Sequence, residues 1–121
     1  KGKPILVESF AVWCPTCLAQ QREISKLRAT EGDSTVHISL DTDPNEDESL
    51  VKTHATNNLF DWYFAISPVD LTKQLIKEFG VSVVYAPGAP VILICEDQSA
   101  RLLERGVKSA DKLKSEVEKG C

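Results

Sequence analysis

Two cysteines one helical turn apart carry the most reactive chemistry in the sequence. Cys14 and Cys17 lie in the stretch Trp-Cys-Pro-Thr-Cys at positions 13–17, and this C-x-x-C spacing puts two sulfur atoms within disulfide reach. Cys14 is expected at the amino terminus of a helix, where unpaired N–H groups and the helix dipole stabilise a thiolate. Cys17 is expected to be more buried and to attack a mixed disulfide formed at Cys14. An exposed attacking thiol with a nearby resolving thiol is what thiol–disulfide exchange requires.

Two other interpretations of this pair are a zinc half-site and a pair of inert core cysteines. Zinc normally needs two further ligands at compatible spacing. A C-x-x-C between a strand and a helix favours redox chemistry, and we expect no metal and no cofactor. The remaining candidate ligands are scattered, and none of them forms a second close pair: His37, His54, Cys95 and Cys121.

The length and composition predict one globular domain over residues 1–121. The 121 residues are 42% hydrophobic and 26% charged, which is the balance of an ordinary soluble protein with a real core. The formal net charge of −4 argues against nucleic-acid binding, which needs clustered Lys and Arg.

The amino terminus and the hydropathy pattern bear on the cellular compartment. The longest apolar stretches, such as Val91–Cys95, have the length of a strand and are far too short for a bilayer span. The chain starts at Lys1 without an initiator methionine, so we expect a processed or truncated fragment. A signal peptide or membrane anchor upstream is compatible with such a start.

Hydrophobic periodicity predicts strands alternating with helices, followed by a hairpin and a last helix. This order implies a mostly parallel sheet covered on both faces, which the hairpin makes mixed. Ser67 and Ser109 are expected to cap the third and fourth helices. The predicted strands cover residues 5–11, 35–40, 62–66, 91–95 and 101–106, and residues 82–85 are predicted to be extended. The first three predicted helices cover about 15–28, 48–57 and 68–79, and the last begins at about 110.

The stretch Ile-Leu-Val-Glu-Ser-Phe-Ala-Val-Trp-Cys-Pro-Thr-Cys at 5–17 resembles the strand and active site of the thioredoxin superfamily. A second landmark, Ala-Pro-Val-Ile-Leu-Ile at 89–94, resembles the cis-proline and core strand of that superfamily. The resemblance implies a thioredoxin-like α/β fold in which Pro90 is cis and the backbone at Ala89 binds the substrate chain. Pro87 is a rival for the role of Pro90. The resemblance to the thioredoxin superfamily further implies that Trp13 covers the redox pair and contributes to the substrate surface.

The two residues between the cysteines complete the predicted substrate surface. Pro15 is tolerated at the first position of a helix and stiffens the turn. Pro15 and Thr16 together tune the redox potential through the stability of the reduced form.

The long separation between Cys14 and Pro90 narrows the resemblance to one branch of the superfamily. An extra helix around 48–57 and an extra strand around 62–66 resemble those of the TlpA/ResA-like (redoxin) proteins, and also of Sco-like proteins. The first branch implies a reductant of protein disulfides, supplied by an upstream redox partner and acting as a monomer. It also implies a periplasmic or cell-surface location, with a membrane anchor outside this chain; a cytoplasmic location is the alternative.

Glu8 is the third residue predicted to act in catalysis. Strand alternation puts it on the same face as Leu6 and Phe10, where a carboxylate is costly unless it is paired or protonated. It aligns with the buried acid of thioredoxins, although that acid is usually Asp. We therefore expect a partly buried proton acceptor for Cys17 with a raised pKa; the alternative is a carboxylate that reaches solvent.

Several residues have plain structural interpretations. Cys95 is expected to be a small buried hydrophobe and Cys121 a free terminal thiol, with little support for a bridge between them. The acidic run over 41–48 is expected to be a solvated loop rather than a calcium loop. A copper metallochaperone of the Sco kind would need His54 as a ligand, and Sco proteins space their cysteines more widely. A peroxidase of the peroxiredoxin kind would carry Thr or Ser where Ala11 stands.

Overall fold

Strands and helices alternate in the predicted order. A computed structural model describes residues 2–121. The second and third helices and the fourth strand start and end within one residue of their predicted bounds, because hydrophobic periodicity and flanking residues specify them locally. The elements are β1 (Ile5–Phe10), α1 (Pro15–Glu31), β2 (Val36–Asp41), α2 (Glu48–Asn57), β3 (Tyr63–Ile66), α3 (Val69–Phe79), β4 (Val91–Ile94), β5 (Ala100–Leu102) and α4 (Ala110–Lys119).

The five strands form one mixed sheet in the order β3-β2-β1-β4-β5. β1 is parallel to β2, and β2 is parallel to β3, whereas β4 is antiparallel to both β1 and β5. This arrangement confirms the predicted α/β class. Because the carboxyl ends of β1 and β2 lie at the same edge, the segment before the cysteines and the loop after Asp41 emerge side by side.

The helix that begins at Pro15 continues to Glu31, three residues beyond its predicted end. Gly32 stops it with a φ of 62°, and its N–H donates to the carbonyl of Arg28 at 2.9 Å. Five residues on the inner face of this helix are buried: Cys17, Gln20, Gln21, Ile24 and Leu27.

Three local predictions are wrong. The segment predicted as extended is a 3₁₀ helix over Val81–Val84, and the last strand ends at Leu102 rather than at 106. Ser67 does not cap α3, since its hydroxyl pairs with the hydroxyl of Thr72 at 2.8 Å and Pro68 occupies the cap position. In the first and third cases, a Val-rich or Ser-Pro segment has several local conformations available, and its tertiary neighbours select one. Ser109, by contrast, caps α4 as predicted.

The turn before β4 contains no cis peptide bond, and none occurs anywhere in residues 2–121. The prediction of a cis Pro90 is therefore wrong. The chain turns instead through a short 3₁₀ helix, Ala86–Gly88, and through Ala89, whose φ of 50° and ψ of 54° are left-handed. The Ala89 N–H donates to the carbonyl of Ala86 at 2.8 Å, which closes the turn with Pro90 in trans.

Cys95 and Cys121 form a disulfide, with their Cα atoms 6.1 Å apart. The expectation of a buried free thiol and a free terminal thiol is therefore wrong. The carboxyl end of α4 is brought to the β4–β5 hairpin, where the Arg101 guanidinium donates to the carbonyl of Gly120 at 2.8 Å. This contact between distant parts of the chain places Cys121 next to Cys95.

Replacing both Cys95 and Cys121 with serine is expected to lower the free energy of unfolding by about 3 kcal/mol. A bridge across 26 residues restricts the unfolded chain, and bridges typically contribute about 2–4 kcal/mol. Urea denaturation of both proteins measures the difference. Dithiothreitol should destabilise the natural chain by the same amount and leave the double variant unchanged; equal midpoints without reductant would contradict the prediction.

Among residues 2–121, no helix has the length and apolar character needed to span a bilayer.

Candidate functional site

Cys14 and Cys17 lie at the first turn of α1, as their spacing predicts. Cys14 is the N-cap residue, and its Sγ accepts the backbone N–H of Cys17 at 3.2 Å. Both are free thiols. The expectation of an exposed attacking thiol is wrong, however, since only 2% of Cys14 is accessible and it packs with Phe10, Ala11 and Ala86.

Thr16 and the turn over 86–88 enclose the two sulfur atoms. The Thr16 hydroxyl donates to the carbonyl of Pro87 at 3.0 Å and lies 3.2 Å from Cys14 Sγ. Because the only hydroxyl proton is committed to Pro87, the thiol of Cys14 is the donor to Thr16 in this state. The Cys17 thiol donates to the carbonyl of Ala86 at 3.2 Å. Pro87, the rival of Pro90, is thus the proline whose carbonyl meets the redox turn.

Burial raises the pKa of the Cys17 thiol well above its usual range, and its contact with Cys14 and the charge of Glu8 add to the effect. Cys17 therefore stays protonated at neutral pH unless a base receives its proton. A resolving thiol in such surroundings needs a proton acceptor close by.

Glu8 is completely buried in β1, with 1% of its surface accessible. Burial is the main cause that raises its pKa to about 8, against hydrogen bonds from Ser39 and Gln21 that lower it. The Ser39 hydroxyl donates to Glu8 Oε1 at 2.6 Å and the Gln21 amide at 2.9 Å. Glu8 Oε2 has no partner among the described side chains, so it is free to carry a proton. The expected raised pKa is confirmed, and burial is more complete than expected.

The side chains that hold Glu8 form a buried chain of hydrogen bonds. The Trp62 indole donates to the Ser39 hydroxyl at 2.9 Å. On the other side, Gln21 Oε1 lies 2.7 Å from His54 Nε2, which must carry the ring proton because the Gln21 amide nitrogen already donates to Glu8.

Sequence reasoning missed Ser39 and Gln21 as members of the site. Gln21 had a detectable signal, since it lies four residues after Cys17 and three before Ile24, on the predicted inner face of a helix. A polar residue on that face needs a buried partner. Ser39 had no such signal, because a small hydroxyl is common in strands.

Replacing Ser39 with alanine is expected to raise the pH midpoint of Glu8 ionisation by about one unit. In the natural chain, the hydrogen bond from Ser39 stabilises the charged carboxylate by about 1.5 kcal/mol. Because one pKa unit corresponds to about 1.4 kcal/mol, losing this bond raises the pKa of Glu8 by about one unit. Infrared titration of the buried carboxyl stretch measures the midpoint. Ser49, exposed on α2, offers the matched control, and Ser49→Ala should leave the midpoint unchanged; an unshifted midpoint in Ser39→Ala would count against the assigned contact.

Lys108 is a buried cation that sequence reasoning also missed. Only 2% of it is accessible, and its ammonium donates to the carbonyls of Ala89 at 2.7 Å, Glu104 at 2.9 Å and Gly106 at 2.5 Å. Burial lowers the pKa of Lys108 to about 8, and its charge counteracts the rise in the pKa of Glu8. A single Lys in a loop carries no sequence signal, because lysines in loops are usually solvated.

Ala89 and Pro90, the predicted substrate-binding backbone, are both buried. The carbonyl of Ala89 is taken by Lys108, and the carbonyl of Pro90 accepts the Ser9 N–H at 3.1 Å. Their role in binding a substrate chain stays a prediction.

Trp13 and Pro15 form the exposed side of the redox turn, and their role as a substrate surface stays a prediction. Trp13 is 58% accessible, and its indole N–H donates to Asp43 Oδ2 at 2.7 Å. A groove of about 380 Å³ runs beside it, and Tyr85 on its wall is half exposed. The groove is lined by Ala11, Trp13, Thr42, Asp43, Pro44, Thr72, Val84, Tyr85, Ala86 and Pro87.

The copper alternative is not supported. His54, its proposed distant ligand, is hydrogen-bonded to Gln21 and stacks on Phe10 with ring centroids 5.6 Å apart. Within residues 2–121, no three His, Cys, Asp or Glu side chains converge as a metal site would require.

Comparison with known proteins points to one family. The Redoxin family profile matches residues 1–118. The thiol:disulfide interchange protein DsbE of Yersinia pestis is 32% identical over 97 residues, which cover 80% of this chain and 45% of that protein. An uncharacterized protein of Haemophilus influenzae is 31% identical over 75 residues, covering 62% of this chain and 45% of its own length. The chain thus spans about half the length of the curated relatives it matches.

Solved structures show the same fold at low sequence identity. A secreted disulfide oxidoreductase of Mycobacterium tuberculosis has a TM-score of 0.74 at 14% identity, over 98% of this chain and 83% of that one. A thiol:disulfide interchange protein of Chlorobium tepidum has a TM-score of 0.75 at 18% identity, over 99% and 81%. These similarities confirm the thioredoxin-like fold.

Proposed function

Because this chain belongs to the Redoxin family, we propose that it is a thiol–disulfide oxidoreductase that reduces disulfides of other proteins. The observation that carries this proposal is the pair of free thiols on one helical turn, Cys14 at the N-cap and Cys17 behind it, with the buried acid Glu8 nearby. An attacking thiol, a resolving thiol and a proton acceptor are the three groups that the reaction needs.

The first half of the proposed reaction takes place at Cys14. Its thiolate attacks one sulfur of a substrate disulfide, the substrate S–S bond breaks, and one substrate thiolate leaves. The product is a mixed disulfide between Cys14 and the substrate. The Cys17 N–H at the helix amino terminus donates to the Cys14 sulfur and holds it at the start of α1 for this step.

In the second half, Cys17 resolves the mixed disulfide. Its thiol passes a proton to the ionised carboxylate of Glu8, and the resulting thiolate attacks Cys14 Sγ. The second substrate thiolate leaves and takes up a proton, and the enzyme retains a Cys14–Cys17 disulfide. Two electrons have passed to the substrate, so an upstream dithiol partner must return them before the next turnover.

The surface around the redox turn suits a polypeptide substrate. Trp13, Pro15 and Thr16 lie next to the redox cysteines, and aromatic and proline side chains are among the residues that line the groove beside Trp13. Rigid aromatic groups supply contact area at low entropic cost and are typical of surfaces that bind proteins. Because Cys14 is buried, a substrate disulfide can reach its sulfur only when groups packed against it, such as Ala86, move aside.

We also propose an extracytoplasmic location. The Cys95–Cys121 disulfide supports it, since structural disulfides persist in oxidising compartments. The secreted disulfide oxidoreductase of similar fold is consistent with this proposal.

Two measurements test the function and its direction. Reduction of insulin in the presence of dithiothreitol should be accelerated by the natural chain; an unchanged rate would contradict the proposed activity. A glutathione redox titration of the Cys14–Cys17 pair then gives its potential. A value near that of thioredoxin, about −270 mV, supports a reductant, whereas a value near that of DsbA, about −120 mV, would identify an oxidant.

A further inference from the structure

The acidic loop between β2 and α2 is attached to the segment that precedes the redox cysteines. Glu46 Oε1 accepts the backbone N–H of Val12 at 2.8 Å, and Asp43 Oδ2 accepts the indole N–H of Trp13 at 2.7 Å. Val12 and Trp13 immediately precede Cys14. The prediction of a merely solvated loop is therefore wrong for these two carboxylates, which bind the redox turn through two hydrogen bonds.

Asp41 lies beneath this loop, at the end of β2, and only 1% of it is accessible. Its Oδ1 accepts the Asp43 N–H at 2.9 Å, while Oδ2 is buried with no other partner among the described residues. Asp43 links the two acids, since its N–H donates to Asp41 and its carbonyl accepts the Glu46 N–H at 3.2 Å, and the Glu46 side chain acts on the ionisation of Asp41. Two ionised carboxylates in such contact repel one another, whereas one proton between them makes a hydrogen bond and satisfies the orphan oxygen.

We propose that Asp41 and Glu46 are positioning residues: they share one proton, which holds Glu46 on the Val12 N–H and keeps the Trp13–Cys14 segment in place for attack. Asp41 carries the proton and donates it to the Glu46 carboxylate. Glu46 then offers its other oxygen to Val12. This role rests on the proposed function, because it acts through Cys14.

The surroundings of the carboxyl pair determine its response to pH. Asp43 from the same loop adds a negative charge. His54 of α2 is near enough to feel the charge of Glu46, although burial lowers its pKa. The sheet neighbours of Asp41, Phe10 of β1 and Ile66 of β3, and the Ser67 N–H on its backbone carbonyl bring no charge. Burial, and then contact with Glu46, raises the pKa of Asp41 to about 8. As pH rises through about 8, the proton is lost, repulsion separates the pair, and Glu46 releases Val12.

Four variants test the proposal. Asp41→Asn places an amide donor against Glu46 at every pH, and Glu46→Gln donates to Asp41 while still accepting from Val12. Glu46→Ala removes the contact altogether. Glu48→Gln is the matched control, because Glu48 is an exposed acid of the neighbouring helix turn.

The direct readout is the backbone amide resonance of Val12 between pH 6 and pH 10. It is measured in a Glu8→Gln background, since Glu8 ionises in the same range. With the natural pair, and with Glu48→Gln added, the resonance should shift with a midpoint near pH 8. Asp41→Asn and Glu46→Gln should abolish this shift. A titration that persists in Asp41→Asn, or its absence with the natural pair, would overturn the proposal.

The functional readout is the rate at which Cys14 attacks 5,5′-dithiobis(2-nitrobenzoate). Glu46→Ala should slow this rate about fivefold at pH 7, the factor expected for one lost hydrogen bond. At pH 9 the natural chain should be slower than Asp41→Asn by a similar factor. Equal rates in all variants would refute the positioning role. If the natural chain did not react at Cys14 at all, the proposed function would fail instead, and the Val12 resonance would still test the pair.

Discussion

Replacing Cys17 with serine is expected to stop turnover and to trap the substrate on the enzyme. Without the resolving thiol, the mixed disulfide at Cys14 persists, and insulin reduction should fall on the order of 10³-fold or more. Non-reducing gel electrophoresis and mass spectrometry should detect a one-to-one adduct through Cys14. Serine preserves the size of the side chain and can still donate to the carbonyl of Ala86, so the fold should be retained.

Two companion variants make this result specific. Cys14→Ser should lose the same activity without forming any adduct, because the attacking atom is gone. The double variant at Cys95 and Cys121 should keep its activity under conditions where it remains folded, since that bridge lies outside the redox turn. Adducts of equal yield at Cys17 in the Cys14→Ser variant would reverse the assigned order of attack.

Replacing Glu8 with glutamine is expected to slow resolution of the mixed disulfide by about 10²-fold near neutral pH. Glutamine keeps the shape of glutamate and can accept both hydrogen bonds at Oε1, but it cannot take a proton from Cys17. Single-turnover kinetics separates this step from the attack by Cys14, which should be unaffected. The rate of resolution in the natural chain should rise with pH through about 8, the pKa of Glu8, and this dependence should disappear in the variant. An unchanged pH–rate profile would remove Glu8 from the mechanism.

The same substitution has an effect on stability whose sign follows from proton binding. An unfolded Glu ionises near pH 4.5, whereas buried Glu8 keeps its proton up to about pH 8. The folded state therefore binds more protons between these values, and the free energy of unfolding falls as pH rises across this window. The Glu8 contribution to this fall is roughly 5 kcal/mol, at about 1.4 kcal/mol per pKa unit. Glu8→Gln should match the natural chain at pH 5 and be the more stable protein at pH 8.5, as measured by urea denaturation.

The features that the sequence predicted correctly are those that neighbouring residues specify. The redox helix begins where Cys14 and Pro15 predict, because an N-cap acceptor and a proline at the first helical position act within one turn. The alternation of apolar strands and amphipathic helices predicts the α/β order for the same reason. The burial and raised pKa of Glu8 could be anticipated because strand alternation places this carboxylate on a buried face, and its role in catalysis stays a prediction.

The features that sequence reasoning missed depend on contacts between distant residues. Gln20 and Lys108 are 88 residues apart and bond to each other deep in the molecule, and the bridge between Cys95 and Cys121 forms only because α4 returns to the hairpin. Local periodicity carries no information about which remote partner a buried amide, ammonium or thiol will meet. The trans turn at Ala89 depends likewise on a lysine from another loop.

The chemistry of the site also depends partly on neighbouring residues in the sequence and partly on contacts that form only in the folded protein. The amino-acid sequence alone predicts which atoms react, since two thiols three residues apart at a helix start can exchange electrons in any fold that forms that turn. The tertiary structure determines the pKa values of the ionisable groups in and around the site. Burial raises the pKa values of Glu8 and Cys17, and the contact with Glu46 adds to the effect of burial on Asp41. The reason is physical: the cost of a charge depends on the water that the folded chain excludes and on the partners it brings close, and neither exists until the chain has folded.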